Sequence, residues 1–220
     1  MAKSITHLRT ALIVIDVQQT FNDLSTWGSR RCTPNFDNNV GRLLNLFRGA
    51  RAEIDENNPF RPVIVHIRHS SLDPNSPFNL ANGSSADFIP FARPLPDETT
   101  ISKNVNSAFI GTRLEHFLRE RGIQQLVLCG LTTDHCVSTT TRMAANLGWR
   151  SNKFLEGYVQ GGNVILVRDA CGTFGRGGFD AEMVHQVALA SLEDEFADVV
   201  STDSVLESLL QRNSIARSIS

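Results

Sequence analysis

Short, β-branched apolar runs alternate along this chain with longer stretches of mixed polar and apolar residues, and that alternation leaves few folds open. The runs are Ala11 to Ile15 (ALIVI), Pro62 to Ile67 (PVIVHI), Leu126 to Cys129 (LVLC), Val164 to Val167 (VILV) and Ala197 to Val200 (ADVV), with a weaker one near Thr100. Helix candidates lie between them, at Asn38 to Asn57, Thr112 to Arg121, Val137 to Leu147, Asp180 to Glu193 and Ser204 to Gln211. Runs this apolar are buried on both faces, as parallel strands are, and the amphipathic segments between them supply crossover helices. The expectation is an α/β fold with about six strands in one sheet and helices on both faces.

At 220 residues and 41% hydrophobic content the chain can bury one good core but hardly two, so a single domain over residues 1–220 is expected. Its 21 Lys and Arg against 23 Asp and Glu leave a net charge of -2, which gives no basic field for phosphate backbones or anionic lipid. Neither nucleic acid nor membrane is an expected partner. No stretch approaches the roughly 18 consecutive apolar residues of a membrane span, and Met1 to Thr10 lacks the apolar run of a signal peptide. A soluble, cytoplasmic protein is expected. Cys32, Cys129, Cys136 and Cys171 are too sparse for a disulfide scaffold and lack C-x-x-C spacing, so each is read as a thiol.

Two segments break the alternation. Ser70 to Pro96 is rich in Pro, Asn, Ser and Gly and long for a connection, which marks it as a functional loop. Trp149 to Gly162 separates a helix from a strand where a few residues suffice, and reads as an insertion: an exposed hairpin or loop, or a surface on which Phe154, Leu155 and Tyr158 pack against a partner subunit.

In open α/β sheets ligands bind beyond the carboxyl ends of the strands, so polar residues just after apolar runs are the ones to examine. Asp16 ends the first run in LIVIDVQQTF, Lys103 follows the weak strand in ISKNVNSAF, and Cys136 opens a helix in LCGLTTDHCVSTT. Singly, each has a bland reading: a turn former, a solvated charge, a small buried hydrophobe. Together they form a chemical unit. A cysteine at a helix start beside an ammonium is expected to have its pKa lowered towards the thiolate, and a carboxylate can accept or relay its proton.

This order, with Asp after the first strand, Lys after the third and Cys at a helix start after the fourth, resembles the isochorismatase-like cysteine hydrolases, a superfamily that includes nicotinamidases and N-carbamoylsarcosine amidohydrolases. The resemblance runs from about Ala11 to Leu206 and is most specific over Gly130 to Gly148 (GLTTDHCVSTTTRMAANLG), with support from NSAFIGTRLE after Lys103 and from DACGTF at Asp169 to Phe174. It implies a three-layer αβα, Rossmann-like fold with a mostly parallel six-stranded sheet. It also implies catalysis by Asp16, Lys103 and Cys136, a cis peptide between Leu131 and Thr132, and an oxyanion hole formed by the N–H groups of Thr132 and Cys136. A homo-oligomer is expected on the same resemblance.

The chain departs from nicotinamidases where they carry an Asp-x-His metal pattern after the second strand, because VIVHIRHSS has no such aspartate. No metal and no other cofactor is expected. His66 and His69 should point to opposite faces of a strand end, one packed and one facing solvent. Enzymes that hydrolyse isochorismate, a vinyl ether, often lack the nucleophilic cysteine, so Cys136 favours acyl transfer at an amide, ureide or imide of a small molecule. Vinyl ether hydrolysis, a silent binding or effector protein on the same fold and a redox sensor at Cys136 are the competing readings.

Around the site, Phe21, Trp27 and Phe88 are candidate aromatic walls of a substrate pocket. Arg30, Arg31 and Arg68 can read a carboxylate or merely be solvated, with Arg30 preferred. Gln18, Asn106 and His135 either orient substrate or satisfy backbone groups, and Asp134 reads as a helix cap. Cys129 is expected to be buried and inert, with Cys32 and Cys171 on loops.

Overall fold

The computed structural model describes residues 8–28, 30–150 and 162–208. Six strands form one sheet: β1 (Thr10–Ile15), β2 (Val63–His69), β3 (Thr99–Lys103), β4 (Gln125–Leu131), β5 (Asn163–Gly172) and β6 (Asp198–Val200). Their order is β3-β2-β1-β4-β5-β6, and each neighbouring pair is parallel, so the sheet is wholly rather than mostly parallel. The order reverses direction between β1 and β4, which opens a crevice at their carboxyl ends.

Helices α1 (Leu24–Trp27), α2 (Phe36–Glu53), α3 (Leu114–Glu120), α4 (Ser138–Ala144) and α5 (Ala181–Ala190) connect the strands, and residues 202–208 are also helical. Alternate strand residues feed two separate cores. Ile13, Ile15, Val65, Ile67 and Leu128 meet Leu114 and Leu118 of α3, Ala144 of α4 and Leu189 of α5. Leu12, Val14, Ile64, Val127 and Ile165 meet Phe36, Val40, Leu43, Leu44 and Phe47 of α2. The 4-3-1-3 spacing of those α2 residues lays one apolar stripe along the helix. Asp180 caps α5, its carboxylate accepting from the Met183 N–H at 2.7 Å.

Three expectations are revised. β5 continues past the VILV run because a register break between Leu128 and Gly130 lets Gly130 pair with Cys171 and Leu131 with Gly172. Cys171 is therefore a buried strand residue, not a loop thiol. Trp149, assigned to the insertion, is fully buried; its indole N–H donates to the Ile123 carbonyl at 2.9 Å and its ring stacks under Arg119. Residues 151–161, with Phe154, Leu155 and Tyr158, lie outside the described residues.

The long loop at 70–96 is pinned over the end of β1. Thr20 Oγ1 lies 3.0 Å from the Pro77 carbonyl and 2.5 Å from that of Ser85, and the Gln18 amide donates to the Ala86 carbonyl at 2.7 Å. No helix among the described residues is long and apolar enough to cross a membrane.

Candidate active site

Asp16 leaves β1 in the left-handed region at φ +52, a conformation uncommon for residues other than glycine, while its N–H still pairs with the Ile67 carbonyl of β2 at 3.0 Å. The twist ends the strand and redirects the carboxylate, which is fully buried. On the other side of the crevice, Gly130 of β4 has φ +130, and a Cβ there would stand 2.0 Å from the Ile15 carbonyl oxygen. Only glycine fits so close an approach of β1 and β4.

Beyond β4 the Leu131–Thr132 peptide is cis. The chain then forms one π-helical turn, Thr133–Val137, that carries Cys136 into α4, and the Thr132 carbonyl accepts from the N–H groups of His135 (3.1 Å) and Val137 (3.2 Å). Lys103 is the last residue of β3. Because β2 lies between β3 and β1, its side chain must span a neighbouring strand to reach the crevice. It does so: Nζ donates to Asp16 Oδ2 at 2.6 Å and to Cys136 Sγ at 3.3 Å. Lys103 and Cys136 are only 3% and 9% exposed.

Burial sets the protonation states. Desolvation raises the Asp16 pKa above its usual 3.8, against the opposing pull of Lys103. Desolvation, helped by the Asp16 charge, pushes Cys136 up to about 12 despite the ammonium. This reverses the lowered pKa expected from the sequence, since neither a helix terminus nor one cation offsets loss of solvent plus an adjacent carboxylate. The thiol is protonated at neutral pH, beside a carboxyl that holds a proton more tightly than usual. Asp16 Oδ1 is buried with no hydrogen-bond partner.

Of the two histidines expected to point to opposite faces, His69 is part of this cluster. Its Nδ1 lies 3.2 Å from Lys103 Nζ. His66 does point to the opposite side, fully buried, with Nε2 2.8 Å from Glu98 Oε2. Asp16, His69 and Cys136 together present three potential metal-ligand atoms within 4.8 Å of one another. They do not fit a metal ion while Lys103 is charged, because its ammonium already lies within 3.3 Å of all three residues and supplies the cation.

Of the aromatic candidates, Phe21 and Trp27 stack with a 4.9 Å centroid separation and pack with Phe174 and Phe78, two residues not singled out from the sequence. Phe78 also meets the His69 ring at 5.2 Å, which links this cluster to the buried trio. Phe88 is not part of it; its ring packs on His66 and Arg68. A cleft of about 570 Å³ is walled in part by Phe21, Phe174, Arg30 and Arg31, a volume suited to a small molecule, although the Asp16, Lys103 and Cys136 side chains are not among its walls. Arg30 is exposed there, whereas Arg31 is committed to Asp37 and Asn22.

Asn106 lies beside the thiol, its Oδ1 3.9 Å from Cys136 Sγ. Gln18 satisfies backbone groups: its amide accepts from the His69 N–H at 2.8 Å and donates to the His69 carbonyl at 3.0 Å. Asp134 is not a helix cap. It accepts from Thr173 Oγ1 at 2.5 Å and pairs with Arg176 at 2.9 Å, and the same arginine reaches His135 at 3.0 Å. Cys129 is buried with a thiol pKa raised to about 12 by desolvation, as suits an inert core residue.

The Isochorismatase domain model matches residues 10–204. The isochorismatase family protein YrdC of Bacillus subtilis is 35% identical over 208 residues, covering 92% of this chain and 97% of that one. A crystal structure of a hydrolase of the isochorismatase family from Chromobacterium violaceum superposes with a TM-score of 0.77 at 31% identity, over 96% of each chain. A shorter match, 34% over 116 residues, covers 53% of this chain and 37% of the N-carbamoylsarcosine amidase of an Arthrobacter species. With its parallel sheet, its crevice between β1 and β4 and a family match over nearly the whole described fold, this chain belongs to the isochorismatase family of hydrolases.

Proposed function

We propose that this hydrolase cleaves the C–N bond of a small amide or ureide through a thioester on Cys136. The observation that carries the reading is the buried contact of Lys103 Nζ with Asp16 and Cys136, at 2.6 and 3.3 Å. In the first half-reaction Asp16 takes the thiol proton as Sγ attacks the carbonyl carbon, and Lys103 offsets the paired negative charges. The N–H groups of Thr132 and Cys136 are the oxyanion donors, each worth about 100-fold or more in rate. The amine leaves with the proton held by Asp16, and Sγ remains acylated. Asp16 then deprotonates water, which attacks the thioester and releases the acid, returning the proton to the thiol. The match to an N-carbamoylsarcosine amidase supports this bond class. Phe21, Trp27 and Arg30 are assigned to the substrate side of the site.

Vinyl ether hydrolysis is the second reading, favoured by the family model and by the raised proton affinity of Asp16, which suits an acid that protonates carbon. A panel of amides, ureides and isochorismate, with release of ammonia, acid or pyruvate followed, separates the two. Amine release that falls about 10⁴-fold or more in Cys136→Ala is the expected result. Pyruvate release that survives the substitution would overturn the thioester mechanism.

A further inference from the structure

His69 and Lys103 are direct register partners at the ends of β2 and β3, so their side chains leave the sheet on the same face. Lys103 must pass β2 to reach Asp16, and the residue it passes is His69. An ammonium has three hydrogens. The Lys103 ammonium has an acceptor for each: Asp16 Oδ2 at 2.6 Å, His69 Nδ1 at 3.2 Å and Cys136 Sγ at 3.3 Å.

The imidazole is itself held in place. Its backbone is clamped by both ends of the Gln18 amide and its ring lies against Phe78. Burial and the neighbouring ammonium lower its pKa to about 4, so the ring is neutral and Nδ1 is free to accept, with the proton on Nε2. Among the described residues Nε2 has no hydrogen-bond partner, and it is not closed off from solvent.

We propose that His69 is a positioning residue for the reaction: by accepting the third Lys103 hydrogen at Nδ1 it holds the ammonium against Cys136, and it presents Nε2–H as a donor on the open side. Removing the acceptor leaves a buried N–H unpaired, which weakens the case for a charged amine there and loosens it from the thiol. The inference rests on Lys103 and Cys136 being the reactive pair.

The test needs no hydrolytic substrate. Alkylation of Cys136 by iodoacetamide, followed by mass spectrometry of its peptide across pH 6 to 10, is compared for the unmodified protein, His69→Leu and His69→Asn. Asn places an amide oxygen near the site of Nδ1. His69→Leu is expected to react about tenfold more slowly at neutral pH, with its profile moved to higher pH, and His69→Asn to recover to within about threefold. Equal rates and profiles for the unmodified protein and His69→Leu, or no recovery in His69→Asn, overturn the proposal. If His69→Leu does not fold, the ring ¹⁵N shifts of His69 in the unmodified protein decide: a neutral Nε2–H tautomer at pH 7 supports it, and an Nδ1–H tautomer or a charged ring rules it out. A failed search for amide substrates leaves these readings intact and bears only on the proposed reaction.

Discussion

Lys103 Nζ and Asp16 Oδ2 meet at 2.6 Å with both side chains shut off from solvent, while the other carboxylate oxygen of Asp16 has no partner. One oxygen is anchored to the cation, and the other is the one that handles a proton in the proposed mechanism. Asp16→Asn keeps the shape and removes that function. Hydrolysis is expected to fall about 10²- to 10⁴-fold, with ligand binding retained; turnover and calorimetric titration on one preparation check both. Equal loss of binding and turnover would point to a structural role for the carboxylate.

The raised pKa of Asp16 has a definite sign in a pH profile. Burial makes the carboxyl hold its proton to higher pH than its ordinary 3.8, and in the proposed mechanism the base form accepts from the thiol. Activity should therefore fall as pH drops through a midpoint above 3.8. The acid limb of kcat/KM against pH measures it, and a limb at or below the ordinary carboxylate value would contradict the assignment.

Glu98 anchors a buried network away from the proposed chemistry. Burial alone would raise its pKa, but Arg48 at 2.7 and 2.9 Å, His66 at 2.8 Å and the Leu95 N–H at 2.9 Å outweigh it and hold the carboxyl well below its usual 4.5. A carboxyl with a depressed folded-state pKa stabilises the fold above its unfolded value and loses that contribution as pH falls. Glu98→Gln should cost about 2 to 3 kcal/mol at pH 7, and the gap to the unmodified protein should narrow below about pH 4.5. Urea unfolding at pH 7 and at pH 3.5 tests the sign as well as the size.

Gly130→Ala tests the close approach of β1 and β4. The added Cβ would lie 2.0 Å from the Ile15 carbonyl oxygen, on a backbone at φ +130. The substitution is expected to cost about 3 kcal/mol or more and to disturb Asp16, the residue after Ile15. Thermal unfolding reads the first effect and Cys136 alkylation the second. A variant with unchanged melting and alkylation would show that the strands can separate at no cost.

What the sequence by itself determined is what local pattern can carry. β1, β2, β4 and most of β5 are buried apolar runs, so the strand runs and their alternation with helices were legible, and Asp16, Lys103 and Cys136 stood out because each lies at or beyond the end of a strand. Residues whose role depends on a neighbour distant in sequence were not legible. Which of His66 and His69 is packed was not legible, because only the order β3-β2-β1 and the His69–Lys103 register place His69 against the lysine stem. Phe78 and Phe174 come from loops far apart in the chain: Phe78 meets Phe21 and Trp27 from the loop at 70–96 folded over the end of β1, and Phe174 meets them from just beyond β5. Phe88, from the same loop, is turned to the His66 side instead. The thiol shows the limit most plainly: from sequence its helix start and nearby lysine argue for a thiolate, but solvation is a property of the whole fold, and closing the site against water beside Asp16 keeps the proton on sulfur.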